Sequence, residues 1–230
     1  RIAGKLATIQ SIMLFSCGTL LGFAMDWDPR SFHFIYAGAG LLSLIGVWIY
    51  ASVRLRGQRR LARLERCGEK ADRPSLSPID VIRVLRDDPM YRRFMTCMFI
   101  FGLGNMMITA PLAIIVKEQF GMRNVEGILI NSTIPAILMH VSIPLWARLL
   151  DRSHVVRFRA RHSWSFVLSS VLILLACGLG QTWLLYLASI ALGIAFGGGV
   201  LAWNLGHHDF APAHRASQYM GVHVTLTGVR

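Results

Sequence analysis

Six stretches of about 20 consecutive apolar residues dominate this sequence, and a seventh begins near its end. A helix of roughly 20 apolar residues is long enough to cross the hydrocarbon core of a bilayer, which is about 30 Å thick. Strands of a membrane barrel would alternate apolar and polar residues, so the continuous runs predict helices. The six full stretches run from Leu6 to Met25, Phe32 to Val53, Phe94 to Val116, Val125 to Leu150, Trp164 to Leu179 and Trp183 to Trp203, and the seventh begins near Met220.

Composition excludes the other fold classes that a chain of this length could adopt. Of the 230 residues, 54% are hydrophobic and 16% are charged, whereas disordered chains are poor in hydrophobic residues. The four cysteines contain no CxxC pair, which argues against a disulfide framework. The sequence therefore predicts an all-α, polytopic transmembrane bundle with six full spans and the start of a seventh. Because the chain begins with Arg1 and the last stretch stops at Arg230, we expect an internal segment of a longer protein.

Basic residues are distributed unequally between the two sides of the predicted spans. Of the 24 lysines and arginines, twenty lie at Arg1, Lys5, between Arg54 and Arg93, between Arg148 and Arg161, and at Arg215. Basic connections remain in the cytoplasm, so these predict the cytoplasmic face of a membrane, which we expect to be a bacterial inner membrane. The net charge of +12 is then explained by topology and by contacts with anionic lipids, and nucleic acid is excluded as a partner.

A long basic connection divides the chain. Residues 1–53 hold two spans, residues 54–93 form the connection, and residues 94–230 hold the remaining spans. We predict that the connection carries surface helices, one of them capped by Ser77 with Pro78 at its first position. The three ranges are interpreted as the end of an N-terminal bundle, a cytoplasmic interdomain loop and a C-terminal bundle.

An acidic residue and several arginines cluster in the short connection after the fourth span. Residues 147–152 read ARLLDR, and Arg157 and Arg159 follow. Asp151 near a helix C-terminus is unfavourable against the helix dipole, unless it pairs with an arginine or caps a neighbouring helix. Such a contact can latch two helices in one conformation and release them in another. We predict a cytoplasmic latch that comprises Arg148, Asp151, Arg152 and Arg157.

This connection resembles the short-loop signature of the major facilitator superfamily, G-x-L-A/G-D-R/K-x-G-R/K-R/K, between that family's helices 8 and 9. Leu149, Asp151 and Arg152 match it, whereas Ala147 stands at the first glycine position and Leu150 at the position of the small residue. The order of two spans, a long basic loop and five spans is similar to helices 5–11 of the family. The resemblance implies a secondary transporter that works by alternating access, without enzymatic activity or a cofactor.

Polar residues inside the spans are the candidates for contact with a solute. Such groups are costly in lipid, and they either line a cavity or form hydrogen bonds between helices. If this is a member of the family, the third and fourth spans border its central cavity. The candidates are Asn105, Thr109, Asn131, His140 and Gln10. Imidazole groups titrate near neutral pH, so His140 is also the candidate for proton coupling.

These candidates are neutral, which favours an uncharged or amphiphilic small solute over a strongly charged one. A coupling proton or cation and the surrounding lipids are the other expected partners, and we expect a monomer. Two alternatives remain open: a sensor on a transporter scaffold, and a membrane enzyme that uses His207, His208, Asp209 and His214. We expect no metal at these histidines. The pairs Gly18/Gly22 and Gly193/Gly197 predict close helix packing.

Overall fold

The computed structural model describes residues 2–53, 78–212 and 215–229, and within these ranges it is all helical, without strands. The α-helices are α1 (Ile2–Trp27), α2 (Phe32–Ser52), α3 (Pro78–Asp87), α4 (Pro89–Gln119), α5 (Asn124–Asp151), α6 (Val155–Leu179), α7 (Trp183–Leu205) and α8 (Ala216–Val229). A short 3-10 turn, Pro29–Ser31, joins α1 to α2. The last turn of α4 and one turn within α5 widen to π-helix.

The long helices coincide with the predicted spans. Five of them, α2 and α4 to α7, are long and apolar enough to cross a membrane by length and composition. Helix α1 covers the first predicted span, and α8 begins at Ala216, four residues before the predicted start of the seventh. The predicted all-α transmembrane bundle is therefore confirmed, because continuous apolar runs of this length have no other way to satisfy their backbone groups in lipid.

Helix α6 differs from its predicted span. The sequence predicts a short span from Trp164, whereas the helix begins at Val155 and contains 25 residues. Basic residues in its first two turns lower the local hydropathy, so a hydropathy criterion places the start of the helix too late. Its buried side chains recur every three or four residues along the whole helix, which is the spacing of one helix face. They are Val155, Phe158, His162, Phe166, Ser169, Ile173 and Ala176.

Helix α7 packs mainly against α5 and α6, and shared apolar clusters join α4 and α8 to it. We call helices α4 to α8 the C-terminal bundle. A Cβ atom at Gly193 would lie 2.6 Å from Leu138 Cβ, and one at Gly197 would overlap Ser142 of α5. The indole N–H of Trp146 donates a 2.7 Å hydrogen bond to the Ile194 carbonyl, also between α5 and α7. The predicted packing role of Gly193 and Gly197 is confirmed.

Helix α1 packs against the first turns of α5 through its own glycine pair. A Cβ atom at Gly22 would lie 2.6 Å from Val125 Cα, and one at Gly18 would lie 3.0 Å from Thr133 Oγ1. This glycine pair therefore also packs as predicted. Helix α2 has no buried residue.

The basic connection is described only from Pro78, where α3 begins at the predicted first helical position. Val84 of α3 is buried against Tyr91 and Tyr219, which places α3 under the ends of α4 and α8. The surface helix that the sequence predicts in residues 54–70 and the Ser77 cap lie outside the described residues.

Candidate functional site

A cavity of about 250 Å³ lies between α4, α5, α6 and α7. Its polar lining comes from Asn105 on α4, Arg159 on α6 and Asn204 on α7, together with the Trp203 indole. Arg159 is four residues after the start of α6, and Asn204 is in the last turn of α7. The distribution of basic residues predicts that this end of the bundle is cytoplasmic. The cavity therefore begins at the predicted cytoplasmic end and reaches towards the centre of the bundle.

Asn105 is the polar group deepest in this cavity along α4. It lies sixteen residues after Pro89, which corresponds to about 24 Å of helix at about 1.5 Å per residue. Its side-chain oxygen is buried and has no hydrogen-bond partner among the described residues. A buried acceptor without a partner costs free energy, and a hydrogen bond from an N–H or O–H group of a solute would remove this cost.

The other described candidates use their polar atoms within their own helices. The hydroxyl of Thr109 donates to the Asn105 carbonyl at 3.2 Å. The Asn131 amide donates to the Gly127 carbonyl at 3.0 Å, and His140 Nδ1 lies 2.8 Å from the Ala136 carbonyl oxygen. Each partner is four residues earlier, which is a common local arrangement in helices.

Of the candidate residues with described side chains, the structure thus brings only Asn105 to this cavity. Gln10 lies in α1, and its side chain is outside the described residues.

Arg159 lines the cavity although the sequence places it in a loop. One guanidinium nitrogen lies 3.3 Å from His162 Nδ1, another donates to Met98 Sδ at 2.8 Å, and the group stands 5.0 Å from the Phe101 ring centroid. Because arginine only donates, His162 Nδ1 accepts, and the ring's Nε2–H then donates to the Ala195 carbonyl at 2.5 Å. The spacing of Val155, Phe158, His162 and Phe166 at three and four residues is the sequence signal that extends α6 over Arg159.

The residues of the predicted latch lie together at the end of α5 and the start of α6. Arg148, Asp151, Arg152 and Arg157 are exposed, and their side chains form no hydrogen bond or ion pair with any described residue. Another carboxylate caps the neighbouring helix: the backbone N–H of Val155 donates to Asp209 Oδ2 at 2.7 Å. Asp209 comes from the connection between α7 and α8, 54 residues further along the chain.

Beside Asp209 lie two histidines of the same connection. His207 is buried, and its ring centroid lies 4.1 Å from that of exposed His208. Burial, reinforced by the neighbouring charge of His208, holds the pKa of His207 below its usual value. The described residues contain no group of three histidine, cysteine or acidic side chains that could hold a metal. His214 lies outside the described residues.

These features define a polytopic α-helical membrane protein with a partly polar cavity inside a helical bundle. The sequence model of the Major Facilitator Superfamily matches residues 5–229, which is nearly the whole chain, so the protein belongs to that superfamily. It is an integral membrane protein of a family whose members are generally transporters. No curated protein and no solved structure matches it.

Proposed function

We propose that the protein is a secondary active transporter that moves a small solute by alternating access through the cavity at Asn105. The observation that carries this proposal is the unpartnered Asn105 oxygen within a cavity of about 250 Å³ inside the bundle. Membership of the superfamily supports it. A polar residue that lines a cavity between membrane helices is typical of a solute pathway.

The moving parts in this proposal are two helical bundles joined by the basic loop. Residues 1–53 belong to the first bundle, residues 54–93 form the loop, and residues 94–230 belong to the second bundle. Rocking of one bundle against the other exposes the site to each side in turn. The glycine-lined contact between α1 and α5 supports such motion, because smooth helix surfaces can slide and separate without breaking interlocked side chains.

The cytoplasmic gate in this proposal is formed by Arg148, Asp151, Arg152 and Arg157. These exposed charges lie beside the start of α6, which Asp209 caps. When the gate closes, Asp151 pairs with arginines of the first bundle. These pairs break when the gate opens.

Thr109, Asn131, His140 and Gln10 line the pathway in another conformation, when a solute replaces the helix carbonyls as their partner. His140 carries the coupling proton, and the protein works as a monomer in a bacterial inner membrane with its basic face in the cytoplasm. It catalyses no reaction and holds no cofactor. A His140→Gln variant that keeps the wild-type pH profile of uptake would remove His140 from this scheme.

The test is solute flux into liposomes that contain the purified complete protein. A panel of radiolabelled small solutes is screened first, and Asn105→Ala is then compared with Thr96→Val for the solute that is transported. Loss of one buried hydrogen bond predicts about a tenfold lower uptake rate for Asn105→Ala. Thr96→Val, which removes an exposed hydroxyl that donates to the Arg92 carbonyl of its own helix at 3.0 Å, should change uptake less than threefold. Binding of a solute without flux would identify a sensor and contradict the proposal.

A further inference from the structure

A second, larger cavity adjoins the first. It is a groove of about 410 Å³ between α4 and α6, and its lining is almost entirely apolar. Met90, Phe94 and Cys97 form its α4 side, and Val156 and Ala160 form its α6 side. Exposed Arg93 stands at its edge. The groove has the character of a site for an alkyl chain, because apolar lining removes such a chain from water without requiring polar partners.

Three residues line both cavities. They are Met98 and Phe101 on α4 and Arg159 on α6. Arg159 is partly buried, and its guanidinium is held over Phe101 and against Met98 Sδ. The groove and the polar cavity therefore meet at a positive charge that is fixed in position by its neighbours.

The contact between Arg159 and Met98 is of a kind that an anion can replace. A thioether sulfur is a weak acceptor, whereas a carboxylate accepts two parallel hydrogen bonds from the planar fork of a guanidinium. Phe101 would hold the flat face of the guanidinium during this exchange. A carboxylate at Arg159 would also lie in the same cavity as the unpartnered oxygen of Asn105.

We propose that the solute is a single-chain amphiphilic carboxylate, an inference that rests on the transport function proposed above. Its carboxylate binds Arg159 in the polar cavity, and its alkyl chain lies in the groove between α4 and α6. A hydrogen-bond donor close to the carboxylate is accepted by Asn105. The sequence favours a neutral or amphiphilic solute because it places no charge inside the bundle. The position of Arg159 agrees with an amphiphilic solute, and it implies in addition that the solute carries a negative charge.

A membrane phospholipid is a different occupant, and the geometry favours it less. A headgroup at the bilayer surface would meet exposed Arg93 at the edge of the groove. It would gain nothing from Asn105, which lies twelve residues further along α4. The two arginines therefore distinguish the occupants, because the carboxylate solute depends on Arg159 and a surface phospholipid depends on Arg93.

The experiment measures equilibrium binding of radiolabelled laurate to the purified complete protein in lipid nanodiscs. Arg159→Gln should weaken binding about 10- to 100-fold, since a charge-assisted hydrogen bond is lost. Ala160→Trp, which keeps the guanidinium and fills the groove, should weaken laurate binding by at least tenfold. Arg161→Gln, an exposed neighbour on the same helix, is the control and should bind laurate as the wild type does. Binding of neutral dodecanol should not depend on Arg159.

Melting temperatures of all variants are measured alongside, and if Arg159→Gln does not fold, the Ala160→Trp result decides. Unchanged laurate affinity in Ala160→Trp, or in a folded Arg159→Gln variant, overturns the inference. A loss of binding in Arg93→Gln alone overturns it in favour of a surface phospholipid. Because this experiment measures binding and not flux, it separates the two proposals. Binding of laurate without flux contradicts only the transport function. Flux of a neutral solute without binding of laurate contradicts only the substrate class.

Discussion

The carboxylate of Asp26 on α1 accepts a 2.7 Å hydrogen bond from the backbone N–H of Asn124, the first residue of α5. Its second oxygen lies 3.3 Å from the backbone nitrogen of Val125, and the Asn124 side chain donates back to the Met25 carbonyl at 3.2 Å. A carboxylate from one helix thus caps the N-terminus of another, where the helix dipole favours negative charge. This contact joins α1 to the C-terminal bundle at the end opposite the basic loop.

Loss of this cap should open the contact between α1 and α5. An N-terminal cap contributes about 1 kcal/mol, so Asp26→Ala should raise the population with separated helix ends about fivefold. Spin labels at Trp27→Cys and Arg123→Cys, with the native cysteines replaced by serine, would report the separation by pulsed electron resonance. Asp28→Ala is the control, because Asp28 caps only its own turn through Arg30. Equal distance distributions in both variants would show that Asp26 does not hold the contact.

The cap that Asp209 provides should stabilise the start of α6. Removing an N-terminal cap costs about 0.5–2 kcal/mol, so Asp209→Ala should lower the melting temperature and speed amide exchange of residues 155–158. Asp209→Asn should be milder, because asparagine is also a good capping residue. Asp151→Ala is the matched control, since Asp151 is exposed and makes no side-chain hydrogen bond with a described residue. Faster exchange in the Asp151 variant instead would assign the capping role to that residue.

The close approach of α5 and α7 should not tolerate a side chain at Gly197. A Cβ atom there would overlap Ser142 and lie 2.7 Å from the backbone oxygen of Met139, so Gly197→Ala should destabilise the protein by about 1–3 kcal/mol. At Gly178 of α6 a Cβ atom would meet nothing within 4 Å. Gly178→Ala should therefore be neutral or stabilising, since alanine favours helix. Thermal unfolding in detergent measures both, and equal melting temperatures would refute the packing argument.

Burial of His207 predicts that acid weakens the connection between α7 and α8. The pKa of His207 is held below its usual value of 6.5, so the unfolded chain binds a proton first as the pH falls. The stability that His207 contributes is therefore complete above about pH 6.5 and is lost as the pH falls below it. The melting temperature should decrease from pH 7 to pH 5, and His207→Gln should reduce that decrease. His33→Gln, which changes an exposed histidine on α2, is the matched control.

Most of the helical framework can be predicted from the sequence, and the start of α6 shows where this fails. The predicted span began at Trp164 because Arg157, Arg159 and Arg161 lower the local hydropathy. Hydropathy averages over all faces of a helix, whereas a helix can expose arginines on one face and bury Phe158 and His162 on another. The pattern of apolar and polar residues on each face of the helix, rather than the average hydropathy, indicates that α6 includes Arg159.

The sequence indicates which polar residues lie inside the spans, but it does not indicate what they contact. Asn105 was predicted and lines the cavity, but Thr109, Asn131 and His140 bond to carbonyls of their own helices. Sequence position gives the depth of a polar residue in the membrane and not its partner. A nearby carbonyl four residues earlier is always available to compete with a neighbouring helix or a solute.

The sequence by itself determined that this chain is a helical membrane protein and approximately where its spans lie, because transfer of a helix into lipid depends on the local run of apolar residues. It also contained the signature around Asp151 that points to the superfamily. Only the tertiary structure decided that Arg159 borders two cavities and that Asp209 caps α6. These relationships depend on contacts between residues far apart in the chain, and neither local composition nor helical periodicity specifies them.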